Sequence, residues 1–207
     1  MTRERIGAAV LALSWVVQSP AAANDPAFSL ETLKSGQAHV TDETKPGGMT
    51  WVKAIFWLAE GPDAVFRILR DVERHPEFMP DVKEVRVVES GPGYHVAYFR
   101  AGEGLFASEH TLKRTYDDTE RRISWSLVQG RPRDLQGSWH VQRSPDGAGS
   151  VVTYSAYIDA GALVPDVVTK QAAKRTIPAM IANLRRRVES GGRWQSDEYR
   201  RRSQGPR

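Results

Sequence analysis

The chain has 207 residues, 40% apolar and 26% charged, with a formal net charge of +4 and no cysteine. That length carries one domain with extensions, around a core that folds without cross-links. The missing cysteine excludes disulfides, thiolate nucleophiles, Cys-ligated metals and a lipid-anchored N-terminal Cys, and the charge is local, since residues 185–207 hold eight Arg against Glu189, Asp197 and Glu198. The rest of the mature chain is slightly acidic, so the basic balance does not indicate nucleic-acid binding.

Arg3 and Arg5, an apolar run from Ile6 to Val17 and the small residues Ala21-Ala22-Ala23 follow the three-part grammar of a secretory signal. The run is short for a membrane span, which needs about 20 residues. The expectation is a signal peptide over 1–23, cut after Ala23, and a periplasmic or secreted protein. Residues 24–48 read as a linker with one weak strand at Gln37 to Val40, ending in Lys45-Pro46-Gly47-Gly48.

Thr50 to Glu60 is dense in aromatic and β-branched residues on both alternating faces, which predicts a strand covered on each side. Gly61-Pro62-Asp63 stops it and opens a helix with Val65, Phe66, Ile68 and Leu69 as its apolar side. A short helical turn follows near His75 to Pro80. From Val82 to Ala160 six strands alternate with turn signals such as Gly91-Pro92-Gly93, Asp117-Asp118-Thr119 and Pro145-Asp146-Gly147, which predicts an antiparallel meander.

The last long segment, Pro165 to Val188, places Ile177, Ile181, Leu184 and Val188 on one 3.6-residue stripe beside Met180. Pro178 lies inside it and predicts a kink or break. Residues 191–207 are expected to be a disordered basic tail. The picture is an α+β domain over 49–190, a curved sheet with a long helix in its concavity.

Several residues carry a likeness to a known family. Val65 to Glu73 runs into Pro76-Glu77-Phe78-Met79-Pro80-Asp81-Val82-Lys83, followed by Trp125, Gly137-x-Trp139, and Gly149 with Thr153. In that order they resemble the START-like superfamily, also described as Bet v 1-like or as the polyketide cyclase/dehydrase and lipid transport group. The helix-to-Pro segment looks most like its coenzyme Q-binding branch, with His75 and Met79 replacing two of the usual residues. The resemblance implies a helix-grip fold whose sheet and C-terminal helix enclose an apolar cavity for a lipid, sterol, hopanoid, quinone or polyketide.

A carrier of this kind needs a large apolar wall and few polar groups. The expected ligand-binding residues are Tyr98, Phe106, His110, Trp125, Trp139, Tyr154, Val168, Met180 and Ile181, with Phe78 and Met79 near the mouth. Arg100, Arg131 and Arg133 are the headgroup candidates, because guanidinium matches carboxylate and phosphate bidentately. Adjacent Glu109 and His110 point to opposite faces of a strand and do not form an acid–base pair without a bulge. His75 with Asp71 is a weak metal motif, because Pro76 disfavours helix at the residue before it. No catalytic residue, metal or cofactor is expected. The partners foreseen are a small hydrophobic ligand and, through the Arg-rich tail, an anionic membrane surface. The chain is expected to be monomeric, and no nucleic acid is foreseen. The alternative is a polyketide cyclase or aromatase in which Tyr98, His110 or Tyr154 moves a proton; a third reading is an interaction domain whose cavity is filled by its own side chains.

Overall fold

A computed structural model describes residues 29–44, 50–104, 107–159, 161 and 166–204, with residues 166–172 as backbone alone. The foreseen signal peptide and the side chains of Phe106 and Val168 lie outside the described residues.

Eight antiparallel strands form one sheet in the order β1-β2-β8-β7-β6-β5-β4-β3. The strands are β1 (His39–Thr44), β2 (Thr50–Leu58), β3 (Val82–Gly91), β4 (Tyr94–Ala101), β5 (Ser108–Asp117), β6 (Arg122–Gly130), β7 (Asp134–Arg143) and β8 (Ser150–Asp159). β3 to β8 make the expected meander, and β2 returns to pair with β8. On the far edge β3 pairs with β4 through two register shifts, at Val82/Glu84 and Val87/Glu89.

The helices are α1 (Leu30–Lys34), α2 (Pro62–Arg70), α3 (His75–Phe78), α4 (Asp166–Glu189) and α5 (Asp197–Ser203). α1 and most of β1 arise in the stretch expected to be a linker. α1 explains the double cover of β2: its buried Leu33 and the Lys34 ammonium, 5.6 Å from the Trp57 ring, lie on the outer face. Ala54, Phe56 and Leu58 are fully buried on the inner face. His75 has helical φ and ψ of −56° and −37°, so Pro76 occupies a first-turn position and does not break the helix as expected.

The stripe on α4 is buried as predicted, with Ile177, Met180, Ile181, Leu184 and Val188 all at 6% exposure or less. The break expected at Pro178 is absent, and the helical assignment is continuous from Asp166 to Glu189. Pro178 and Lys174, four residues earlier, are both exposed, so the carbonyl that loses its N–H partner faces water.

The tail is also ordered, against expectation, and docks on α3. Arg187 is 2% exposed; its Nη1 donates to the Trp194 carbonyl and to Glu77 Oε2, each at 2.7 Å. The Ser196 N–H donates to the Glu77 carbonyl at 2.8 Å. Arg202 donates to the carbonyls of Pro76 and Val82, and Lys83 joins Glu198 of α5 to Glu103 of the β4–β5 connection.

Candidate ligand-binding site

The inner face of the sheet is set by register. His110, Leu112, Arg114 and Tyr116 alternate inward on β5, facing Phe99 and Ala97 on β4 and Trp125 and Ile123 on β6. The apolar residues there form two clusters. One gathers β2, α2, α3 and the second half of α4 around Tyr116, Ile123 and Trp139. The other gathers Val72, Val85, Ala97, Phe99 and Leu112. Trp125 packs against both and marks the seam between them.

An aromatic layer lines that seam. Trp139 lies 4.6 Å from Tyr154, and Trp125 lies 6.0 Å from Tyr154, nearly parallel to it. The layer depends on Gly137, Trp125's partner across β6 and β7, because a Cβ there would stand 2.2 Å from the Trp125 indole. Tyr154 keeps accessible surface, yet burial pushes its hydroxyl up to about 12. Trp125 and Tyr154 are only partly buried, whereas Trp139 is 3% exposed, so the accessible edge of the layer lies at Trp125 and Tyr154.

His110 faces inward as expected, 8% exposed, with its ring stacked on Phe99 at 5.5 Å. Ser108 Oγ donates to the Arg131 carbonyl, so Nδ1–H of His110 donates to that hydroxyl at 2.9 Å and Nε2 is the ring's acceptor. Burial lowers the ring to about 4, which keeps it neutral at physiological pH. Glu109, on the opposite face, is exposed.

The β6–β7 connection lies at one end of the sheet beside the start of β5 and the end of β8, where the Arg131 N–H donates to the Glu109 carbonyl and the Arg133 N–H to the Asp159 carbonyl. Exposed Arg131 and Arg133 stand at this end, at the mouth that a ligand held on the inner face would use. Met180 and Ile181 from α4 and Trp139 from β7 belong to the first cluster.

Two expectations change. Tyr98 points outward, because its neighbours Ala97 and Phe99 take the inner face; the Arg86 guanidinium sits 4.8 Å from its ring. Arg100 lies on that outer face, paired with Glu84 at 3.3 Å. Phe78 and Met79 are buried core residues beside the C-terminal half of α4: Asn183 bonds the Phe78 carbonyl, and the Arg187 guanidinium lies 5.3 Å from the Phe78 ring.

Arg114 and the Glu77–Arg187 pair are absent from the sequence-based candidates. Arg114 had a signal, a charge at an inward position of the alternation His110, Leu112, Arg114, Tyr116. Its Nη2 donates to the Leu69 carbonyl at 3.0 Å, and Nε2–H of His75 donates to the same oxygen at 3.1 Å. That carbonyl belongs to the last turn of α2, whose carbonyls lack helical partners. His75 is held well below its usual range, first by burial and then by Arg114. Among the described residues no group of three or more His, Asp and Glu is placed to hold a metal. A surface cleft of about 470 Å³ lies between α5 and the end of β4, with Lys83, Arg100, Tyr199 and Arg202 on its walls.

Solved structures share this architecture. The Zhui aromatase/cyclase from a Streptomyces species superposes with a TM-score of 0.61 at 20% identity, over 68% of this chain and 94% of that one. A STAR-related lipid transfer protein from Xanthomonas axonopodis gives 0.60 at 18%, over 73% and 93%. A START superfamily protein from Mycobacterium smegmatis gives 0.60 at 17%, over 69% and 99%. No curated protein matches the chain. The sequence profile described as polyketide cyclase / dehydrase and lipid transport matches residues 61–185, more than half of the chain, and the protein belongs to that family.

Proposed function

We propose that the protein is an exported carrier, which holds one apolar molecule, a lipid, sterol, hopanoid or quinone, between the aromatic layer and the first half of α4. The observation that carries this reading is the aromatic layer of Trp125, Trp139 and Tyr154 on the inner face of the sheet, in which Trp125 and Tyr154 keep accessible surface. Each ligand methylene removed from water there contributes about 0.8 kcal/mol, and such a wall needs no covalent step. Export rests on the N-terminal grammar, and membrane docking on Arg131 and Arg133 at the mouth with Arg200 and Arg201 exposed on α5.

The test is mass spectrometry of protein purified from its native host after fractionation. A lipid-like molecule co-purifying from the periplasmic or secreted fraction is expected. Repeated recovery of empty protein that takes up no fluorescent lipid, sterol or quinone would refute the carrier.

A second reading, cyclisation of a bound polyketide, is favoured by the inward ring of His110. Its weak basicity argues against it as a proton acceptor at neutral pH. Turnover of a poly-β-keto substrate that disappears in His110→Gln would support the enzyme over the carrier.

A further inference from the structure

Arg114 is 3% exposed and stands on the inner face at the seam, between Leu112 of one apolar cluster and Tyr116 of the other, opposite Trp125. Its charge is permanent at any physiological pH. Among the described residues it has no carboxylate within ion-pair reach. Its partners are the Leu69 carbonyl and the Tyr116 ring, 5.8 Å away, and its buried Nε–H has no acceptor.

The other buried guanidinium shows what a structural arginine looks like in this fold. Arg187, whose Nε–H also lacks an acceptor, has the Glu77 carboxylate at 2.7 Å. The end of α2 offsets part of Arg114's charge, equivalent to about half an elementary charge. The remainder is an uncompensated cation in an apolar wall, an arrangement that destabilises a protein unless an anion arrives.

We propose that Arg114 anchors the anionic head, a carboxylate or a phosphate, of the apolar molecule carried in the hollow. The inference rests on the carrier reading and narrows its cargo to anionic amphiphiles. The guanidinium offers its free N–H groups to the head, while Trp125 and the clusters on either side take the apolar body. The mouth arginines then meet solvent or membrane, and the head is read at the seam.

The test compares two apolar bodies in neutral and acidic form, a long-chain fatty alcohol with the fatty acid of equal length, and a sterol with its hemisuccinate; an alkyl phosphate is the second anion. Native protein is expected to prefer each acid over its alcohol by roughly tenfold or more, the size of a charge-assisted hydrogen bond. Arg114→Met is expected to abolish that preference while the alcohols bind as before, and Arg114→Lys to restore part of it. Melting of the ligand-free proteins adds a readout: Arg114→Met is expected to be as stable as the native chain or more so. Equal affinity for acid and alcohol in the native protein overturns the anchor and leaves the carrier standing, and this needs no variant to fold. A preference unchanged in Arg114→Met, with a lowered melting temperature, overturns it too and makes Arg114 a cap on α2. Failure of every probe to bind in either form refutes the carrier, and the anchor with it.

Discussion

Gly137→Ala is the substitution that reports most directly on the aromatic layer. The added Cβ would stand 2.2 Å from Trp125 Cζ2, 2.5 Å from Cε2 and 2.6 Å from the Ser155 carbonyl oxygen. Ordinary contact begins near 3.4 Å, so the indole must withdraw by about 1 Å or more, and the backbone oxygen allows no escape on its own side. The ring is displaced into the hollow. Overpacking of this kind costs about 1–3 kcal/mol, which for a chain of this length lowers the melting temperature by about 2–12 °C. Near-UV circular dichroism should change as the coupling of Trp125 to Tyr154 changes, and affinity for an apolar ligand should fall. Gly149→Ala is the control: its Cβ would meet the Leu58 carbonyl at 2.2 Å, away from the hollow. It should destabilise the fold and leave ligand affinity unchanged. Equal stability and an identical near-UV spectrum for Gly137→Ala would refute the placement of Trp125, and equal loss of ligand affinity in both variants would refute its role as wall.

Other outcomes are as definite. Glu77→Gln leaves the Arg187 guanidinium buried without its counter-charge and should cost about 3–5 kcal/mol by urea denaturation; hydrogen exchange should rise over residues 194–203, and protection unchanged there would disprove the anchoring of the tail. Leu184→Ala, at a fully buried position of the α4 stripe, should cost about 2–5 kcal/mol, and a loss under 1 kcal/mol would refute the seating of α4. His110 and His75 are both held neutral in the folded chain, His110 down at about 4, whereas the unfolded chain takes up protons near its ordinary value of 6.5. Their contribution to stability is therefore complete above about pH 6.5 and is lost as the pH falls toward 4. His110→Gln should flatten the urea-midpoint profile over that window, and a native profile that rises toward acid would overturn the burial of both rings.

The elements were legible where a local period decided them. The stripe Ile177, Ile181, Leu184, Val188 repeats at helical spacing, and the strands alternate between clear turns, so meander and long helix both follow from the chain itself. The inner face of β4 was not legible. Tyr94, Val96 and Tyr98 look like its apolar side, but Ala97 and Phe99 are buried because they pair with Leu112 and His110 on β5 and face Val87 and Val85 on β3. Hydrophobicity alone ranks tyrosine above alanine, and only the pairing ranks the faces. The tail misled by composition: its arginines read as solvated, but Arg202 caps the Pro76 and Val82 carbonyls more than a hundred residues away. No local rule encodes partners at that separation. The break expected at Pro178 failed through a rule that omits which side of the helix faces water.

The unclosed sheet has a consequence for the chain while it folds. A flat, uncharged outer strand would invite a second chain to pair with it before the fold is complete. At β3 the two register shifts interrupt the row of free backbone groups, and Lys83, Glu84, Arg86 and Glu89 crowd the same strand with charge of both signs. At the other margin β1 is six residues long and carries Asp42 and Glu43. Both margins of the sheet are thus poor templates for intermolecular pairing, and a variant that straightens β3 and removes its charges should associate at concentrations where the native chain stays dispersed.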